Sequence, residues 1–332
     1  MTPKSDDSLA VLLICSRLGL PGDGDPKPLT LGEWNRLAQR LHDADGAPPG
    51  ALLGRSAADI EGEFGLAQPE AERLARLLDR GTLLAIELER LDSLGIWALT
   101  RVDEGYPQRL KKAMGESAPP VLFGCGERAH FDRPGLAIVG SRDASERALA
   151  VASAVGAACA ESGLSVVSGA ARGVDLTAMN AAIAQGGTAV GVLADNLQRK
   201  IRDAAVRAHV EQGDALLVTP YPPDAGFSVG AAMGRNKLIY ALADYALVVT
   251  SDAEKGGTWA GAVEAIRAGW VPVFAVDAEG FSEGTRLLIG RGATAFPERL
   301  PCEPSALLDW LTGQTSLRLP AKALVQGELP NM

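Results

Sequence analysis

Six short, mostly apolar, valine-rich segments constrain this chain more than any other feature: 136–139 (LAIV), 164–167 (LSVV), 189–193 (AVGVL), 215–218 (ALLV), 246–249 (ALVV) and 271–276 (VPVFAV). Alanine-rich stretches of helical length separate them, at 144–161, 174–185, 198–211, 231–243 and 258–268. Strands without polar alternation are buried on both faces, and strands alternating with amphipathic helices build a parallel sheet. The expected fold is therefore α/β, an extended Rossmann-like, doubly wound and mostly parallel sheet.

Residues 1–118 read differently. Apolar residues recur at helical spacing over 31–41 (LGEWNRLAQRL) and again over 71–78 after Pro69. Glycine and proline clusters at 20–26 and 46–50 cut the region into short pieces. The run 9–15 (LAVLLIC) is too short to span a bilayer and follows an acidic start, so it reads as a buried helix and not as a targeting signal. Pro119 and Pro120 stop any helix and mark a boundary. The expected organisation is a small helical domain over 1–118, the Rossmann-like domain over 119–300, and a short helix near 304–312 with a polar tail that frays, over 301–332.

Charge and rare residues narrow the function. With 41 acids against 32 bases the net charge is −9, which excludes a general electrostatic coat for nucleic acid but leaves room for a local basic cleft. The four cysteines, at 15, 125, 159 and 302, form no C-x-x-C pair, so reduced thiols in a cytoplasm are expected. The three histidines, at 42, 130 and 209, lack metal-ligand spacing, and no Ser/His/Asp set or carboxylate pair stands out. No catalytic residue, metal site or cofactor is expected.

In a doubly wound sheet the ligand crevice lies at the carboxyl ends of the strands. Three glycine-bearing turns fall there: Gly140, Ser141 and Arg142 after LAIV; Ser168, Gly169 and Arg172 within 168–173 after LSVV; and Lys255, Gly256, Gly257 and Thr258 after ALVV. Small residues at helix starts let backbone amides approach an anion, and the three cations add fixed positive charge. Neither G-x-x-x-x-G-K-[ST] nor G-x-G-x-x-G is present, which speaks against ATP hydrolysis and ordinary dinucleotide chemistry. Asp175, next to Gly173 and Val174, reads as a helix N-terminal charge or cap. A fourth feature, Arg235, Asn236 and Lys237, is read as a helix start downstream of Phe227, with the cations on phosphates and Asn236 capping or holding the turn.

The order of these motifs resembles the DprA/Smf family over roughly 100–297. The resemblance rests on Tyr106-Pro107, Pro119-Pro120-Val121-Leu122-Phe123-Gly124, the Gly140 and Ser168 turns, residues 235–237, Gly256-Gly257-Thr258, and Gly284 with Leu288-Ile289 before Gly292-Ala293. It implies a non-enzymatic, homodimeric protein that binds single-stranded DNA, acts in natural transformation and recombination, and loads the RecA recombinase, with no membrane partner. Carried over, Arg142 is the leading phosphate contact, followed by Arg172, Arg235 and Lys237, with backbone from Ser141, Gly169 and Gly257. The chain departs from the family pattern at Ala178-Met179, Gly257-Thr258-Trp259, Asp277-Ala278 and Gly284-Thr285-Arg286. Those departures cluster in the crevice and keep two other readings open. One is a sensor of a nucleotide-derived ligand, using Trp259 and Arg286. The other is a hydrolase resembling the Lonely Guy phosphoribohydrolases, although Glu264 stands six residues after Thr258 where that signature has three.

Overall fold

Nine strands form among the described residues, and all six valine-rich segments are among them. They are β1 (Ile96–Thr100), β2 (Val121–Cys125), β3 (Gly135–Val139), β4 (Ser165–Ser168), β5 (Ala189–Val192), β6 (Ala215–Thr219), β7 (Tyr245–Val248), β8 (Val273–Asp277) and β9 (Thr294–Pro297). The structure, a computed structural model, describes residues 5–20, 22 and 24–316. The polar tail expected to fray after residue 316 lies outside them. The chain divides into two units, one of Met1–Asp132 with Val190–Leu242, the other of Arg133–Ala189 with Ala243–Met332. The fold class is α/β, with a mostly parallel, Rossmann-like strand arrangement.

The first unit contains the expected helices. The apolar run 9–15 lies in the helix Asp6–Cys15, where Ala10, Val11, Leu12, Leu13 and Ile14 are all buried. Thr30 starts the helix Leu31–Asp43 through a capping box: its hydroxyl accepts the Glu33 amide and its own amide donates to Glu33 at 2.7 Å. Pro69 occupies the first turn of Gln68–Leu78, where a missing N–H costs nothing. Arg80 is buried and donates to the carbonyls of Leu77, Leu18 and Leu13, satisfying three groups that no helix partner reaches.

Two local elements of this unit differ from the sequence reading, a strand within 1–118 and a break within 198–211. The region 1–118 is not wholly helical, because Gly95 turns the chain at φ +72° after the helix Gly81–Ser93 and β1 follows. β1 pairs antiparallel with β2, and β2 antiparallel with β6. Both pairings lie within the unit of Met1–Asp132 with Val190–Leu242. The helix expected over 198–211 is two helices, Leu197–Lys200 and Ala204–Gln212, because Asp203 caps the second one by accepting the amides of Ala205 and Val206.

In the second unit the strand order is β4-β3-β7-β8-β9, and every neighbour pair from β4 to β9 is parallel. β3 lies between β4 and β7, so the chain leaves β3 to one side and returns on the other. This reversal is the topological switch point at which α/β sheets bind ligands. Leu136, Ile138, Val166, Leu247, Phe274 and Phe296 form the core with the helices Glu146–Glu161 and Val174–Ala184. The expected short C-terminal helix is a 3-10 turn, Pro304–Ala306, followed by Leu307–Ser316, whose Trp310 packs edge-on to Phe296 at 5.4 Å. No helix among the described residues is long and apolar enough to cross a membrane.

Candidate functional site

The three glycine-bearing turns meet at the switch point. The 140–142 turn follows β3, the 168–173 turn follows β4, and the 255–258 turn starts the helix Gly256–Ala268 after β7. Gly140 permits the approach: a Cβ there would stand 2.5 Å from Val174 Cγ2, at the start of the helix Val174–Ala184. Gly173 has φ +88°, and a side chain on it would collide with the carbonyl of Ser141. The Val174 amide donates to that carbonyl at 3.3 Å, and Thr258 Oγ1 donates to the Gly140 carbonyl at 3.1 Å. The turns therefore form one bonded rim.

The charged groups are placed on its open side. Arg142, Arg172 and Lys255 are exposed. Arg172 pairs with Asp143, itself exposed, and the Asp143 amide donates to Ser141 Oγ at 3.2 Å. An exposed pair of this kind contributes no more than about 1 kcal/mol, so Arg172 can exchange Asp143 for another anion at little cost. Lys255 makes no hydrogen bond or ion pair among the described residues and offers the first-turn amides of Gly256–Ala268 no side-chain acceptor. Gly173 likewise provides no side-chain cap for Val174–Ala184, whereas Ser145 and Ser282 cap the neighbouring helices. Both helix starts at the rim therefore lack a side-chain cap from their N-cap residue.

Two expected contacts are engaged inside the protein instead. Ser168 is fully buried and its hydroxyl donates to the Ile138 carbonyl at 2.6 Å, bracing β4 against β3. The Gly169 amide donates to the buried Asp175 carboxylate at 3.1 Å. Asp175, read from sequence as a helix N-terminal charge, also holds the 168–173 turn in shape. The 251–255 loop is braced in turn by Ser282, whose hydroxyl donates to the Ser251 carbonyl at 2.7 Å, and by Arg291, which pairs with Glu254 and lies 5.0 Å over the Trp259 ring. Ser168, Ser282 and Arg291 act thirty or more residues from what they hold, whereas Asp175 acts six residues from the Gly169 amide.

Residues 235–237 belong to the other unit. They are not a helix start, because Ser228 caps the helix Val229–Ala241 at the Ala231 amide and leaves them in its interior. Arg235 is only 4 % exposed and its guanidinium donates to the Val192 carbonyl at 2.7 Å, so it braces the unit's interior where a surface phosphate contact was expected. Asn236 and Lys237 are half-buried, and Lys237 lines a cleft of that unit. Met179, one of the departures, is a core residue, so the change there is a matter of packing. No group of three or more His, Cys, Asp or Glu side chains that could hold a metal ion occurs among the described residues.

Comparison with known proteins gives consistent matches. The sequence profile of the family described as DNA recombination-mediator protein A matches residues 97–300. Protein Smf of Synechocystis sp. is 29% identical over 164 residues, 48% of this chain. That match spans 40% of the curated relative's length. Among solved structures, DNA processing protein A (DprA) from Streptococcus pneumoniae superposes with a TM-score of 0.66 at 22% identity, covering 94% of this chain and 98% of that one. DNA processing protein A from Helicobacter pylori, solved to reveal its single-stranded DNA binding mode, gives a TM-score of 0.52 at 21% identity over 66% of this chain and 96% of that one. At these identities the structural likeness establishes the fold.

Proposed function

The chain belongs to the DNA recombination-mediator protein A family, and from that premise we propose that it binds single-stranded DNA at the rim formed by the turns after β3, β4 and β7. The observation that carries this reading is the convergence of the Gly140 and 255–258 turns, bonded through Thr258, with Arg142, Arg172 and Lys255 exposed around them. A nucleic-acid strand is a row of phosphates, and exposed cations beside uncapped helix starts are suited to hold one. Arg142, Arg172 and Lys255 supply the charge, the backbone of Ser141, Gly256 and Gly257 the close approach, and Ser168, Asp175 and Thr258 the rigidity.

The role is that of a binding protein in DNA recombination and not of an enzyme. Family resemblance supports its extension to natural transformation, to a homodimer and to delivery of the bound strand to RecA in the cytoplasm. Competition experiments test the core of this reading. The 332-residue chain is incubated with a fluorescent dT oligonucleotide and challenged with unlabelled dT strands of increasing length and with thymidine monophosphate. Competition that strengthens with strand length supports the proposal. Equal competition by the mononucleotide would assign the rim to a small ligand sensor, and release of free base from nucleoside monophosphates would assign it to a hydrolase.

A further inference from the structure

We infer that Ser282 is a positioning residue for DNA binding: it seats the 251–255 loop on the start of the helix Glu283–Gly290, and so sets where Lys255 and the first amides of Gly256–Ala268 stand. This rests on the reading of the rim as a DNA site, and every residue of the arrangement belongs to the second unit.

A serine hydroxyl offers one donor and two lone pairs, and Ser282 uses all three. It donates to the Ser251 carbonyl at 2.7 Å, accepts the Ser251 amide at 3.2 Å and accepts the Thr285 amide at 3.4 Å. The third bond caps the helix, while the first two clamp one residue of the loop through both its backbone groups. Ser251 is buried, so losing the clamp leaves its amide and carbonyl short of partners. With its hydroxyl fully engaged, Ser282 acts on a ligand through Ser251 and not by touching it.

The surroundings hold Ser282 to this task. Thr285, one of the positions at which the chain departs from the family pattern, is buried and donates its hydroxyl to the Ser282 carbonyl at 3.0 Å. Gly284 allows the helix to come this close, because a Cβ there would collide with the Ser251 carbonyl oxygen and stand 2.7 Å from that of Asp252.

The loop has need of such a seat. Among the described residues three non-glycines have positive φ, and two of them, Ala170 and Glu254 (φ +57°), lie in the turns of the rim. A left-handed residue with a side chain persists only where its surroundings fix it. Arg291, just past the end of the same helix, pairs with Glu254 at 3.0 Å and covers Trp259. That pair is exposed and correspondingly weak, which leaves the part-buried Ser282 clamp as the firmer tie.

The test compares wild type, Ser282→Ala, Ser282→Thr, Gly284→Ala and Arg142→Ala, each shown by near-UV circular dichroism to be folded at the assay temperature. Anisotropy of a labelled dT oligonucleotide is followed over a salt series, and amide hydrogen exchange over 251–257 is measured without DNA. Ser282→Ala is expected to bind about fivefold more weakly, with faster exchange over 251–257. Its slope of log affinity against log salt should equal that of wild type, because no cation is lost, whereas Arg142→Ala should lower the slope. Ser282→Thr, which restores the hydroxyl, should match wild type in both readouts. Gly284→Ala presses on the same carbonyl with the hydroxyl intact and should weaken binding at unchanged slope. A serine that only stabilised the fold would leave the affinity of the folded variant at the wild-type value, and that result would overturn the inference. So would an equal loss in Ser282→Thr, or unaltered exchange in Ser282→Ala. A wild type that binds no dT strand would sink the DNA reading instead, and the exchange comparison would still decide whether Ser282 positions the turn.

Discussion

Thr258 Oγ1 donates to the carbonyl of Gly140 at 3.1 Å, joining two strand-end turns that lie more than a hundred residues apart in the chain. This bond keeps the 255–258 turn at a fixed distance from the Gly140 turn. Thr258→Val keeps the volume and removes the donor, and should cost about 1 kcal/mol in urea denaturation. It should also weaken dT oligonucleotide binding several-fold, while Thr258→Ser, which retains the hydroxyl, stays near wild type in both measurements.

Gly140 is confined by Val174. A Cβ at 2.5 Å from Val174 Cγ2 forces the helix start Val174–Ala184 to move, so Gly140→Ala should destabilise by about 1–3 kcal/mol. If the collision is with that side chain, Val174→Ala in the same protein should recover part of the loss. A double-mutant cycle measured by chemical denaturation reads the coupling, and strict additivity would contradict this explanation.

Asp175 determines the shape of the 168–173 turn. Asp175→Ala leaves the buried Gly169 amide without its 3.1 Å acceptor and should cost about 1–3 kcal/mol. Asp175→Asn, which keeps an oxygen in place, should cost less. Hydrogen exchange at the Gly169 amide is the direct readout, expected to be fast in Asp175→Ala and slow in the wild type.

Acid should loosen the helical part of the first unit through Glu33. Its carboxyl is lowered from the ordinary 4.5 to about 2, chiefly by the Arg73 guanidinium 2.7 Å away and then by the Thr30 amide. A depressed carboxylate contributes stability that is fully present above its unfolded value and disappears as pH falls through its folded value. The contribution, about 1 kcal/mol, should therefore fade between pH 4.5 and 2. Urea midpoints of wild type and Glu33→Gln should differ at pH 7 and converge towards pH 2.

The six valine-rich strands were legible because burial on both faces leaves contiguous apolar runs, as at Leu136, Ala137, Ile138 and Val139. β1 was not, because Ile96 to Thr100 continue a helical pattern and only Gly95, with its positive φ, separates them from the preceding helix. At the candidate site the glycine turns and exposed cations could be read locally. Arg235 could not, since sequence does not reveal that its guanidinium points inward to the Val192 carbonyl, and the same holds for the Gly169 amide, already bonded to Asp175. Whether a polar group faces solvent or the interior depends on its partner in the fold, which for Arg235 is 43 residues away.

Phosphate contacts at the rim are the central claim, and salt dependence measures them most directly. Anisotropy of a labelled dT oligonucleotide is followed from low to moderate salt for wild type, Arg142→Ala and the double variant Arg172→Ala/Lys255→Ala. The expected wild-type affinity falls steeply with salt, and each lost contact lowers the slope of log affinity against log salt by about 0.7. Weak, salt-insensitive binding by the wild type, or an unchanged slope in both folded variants, would contradict the assignment of DNA phosphates to this rim.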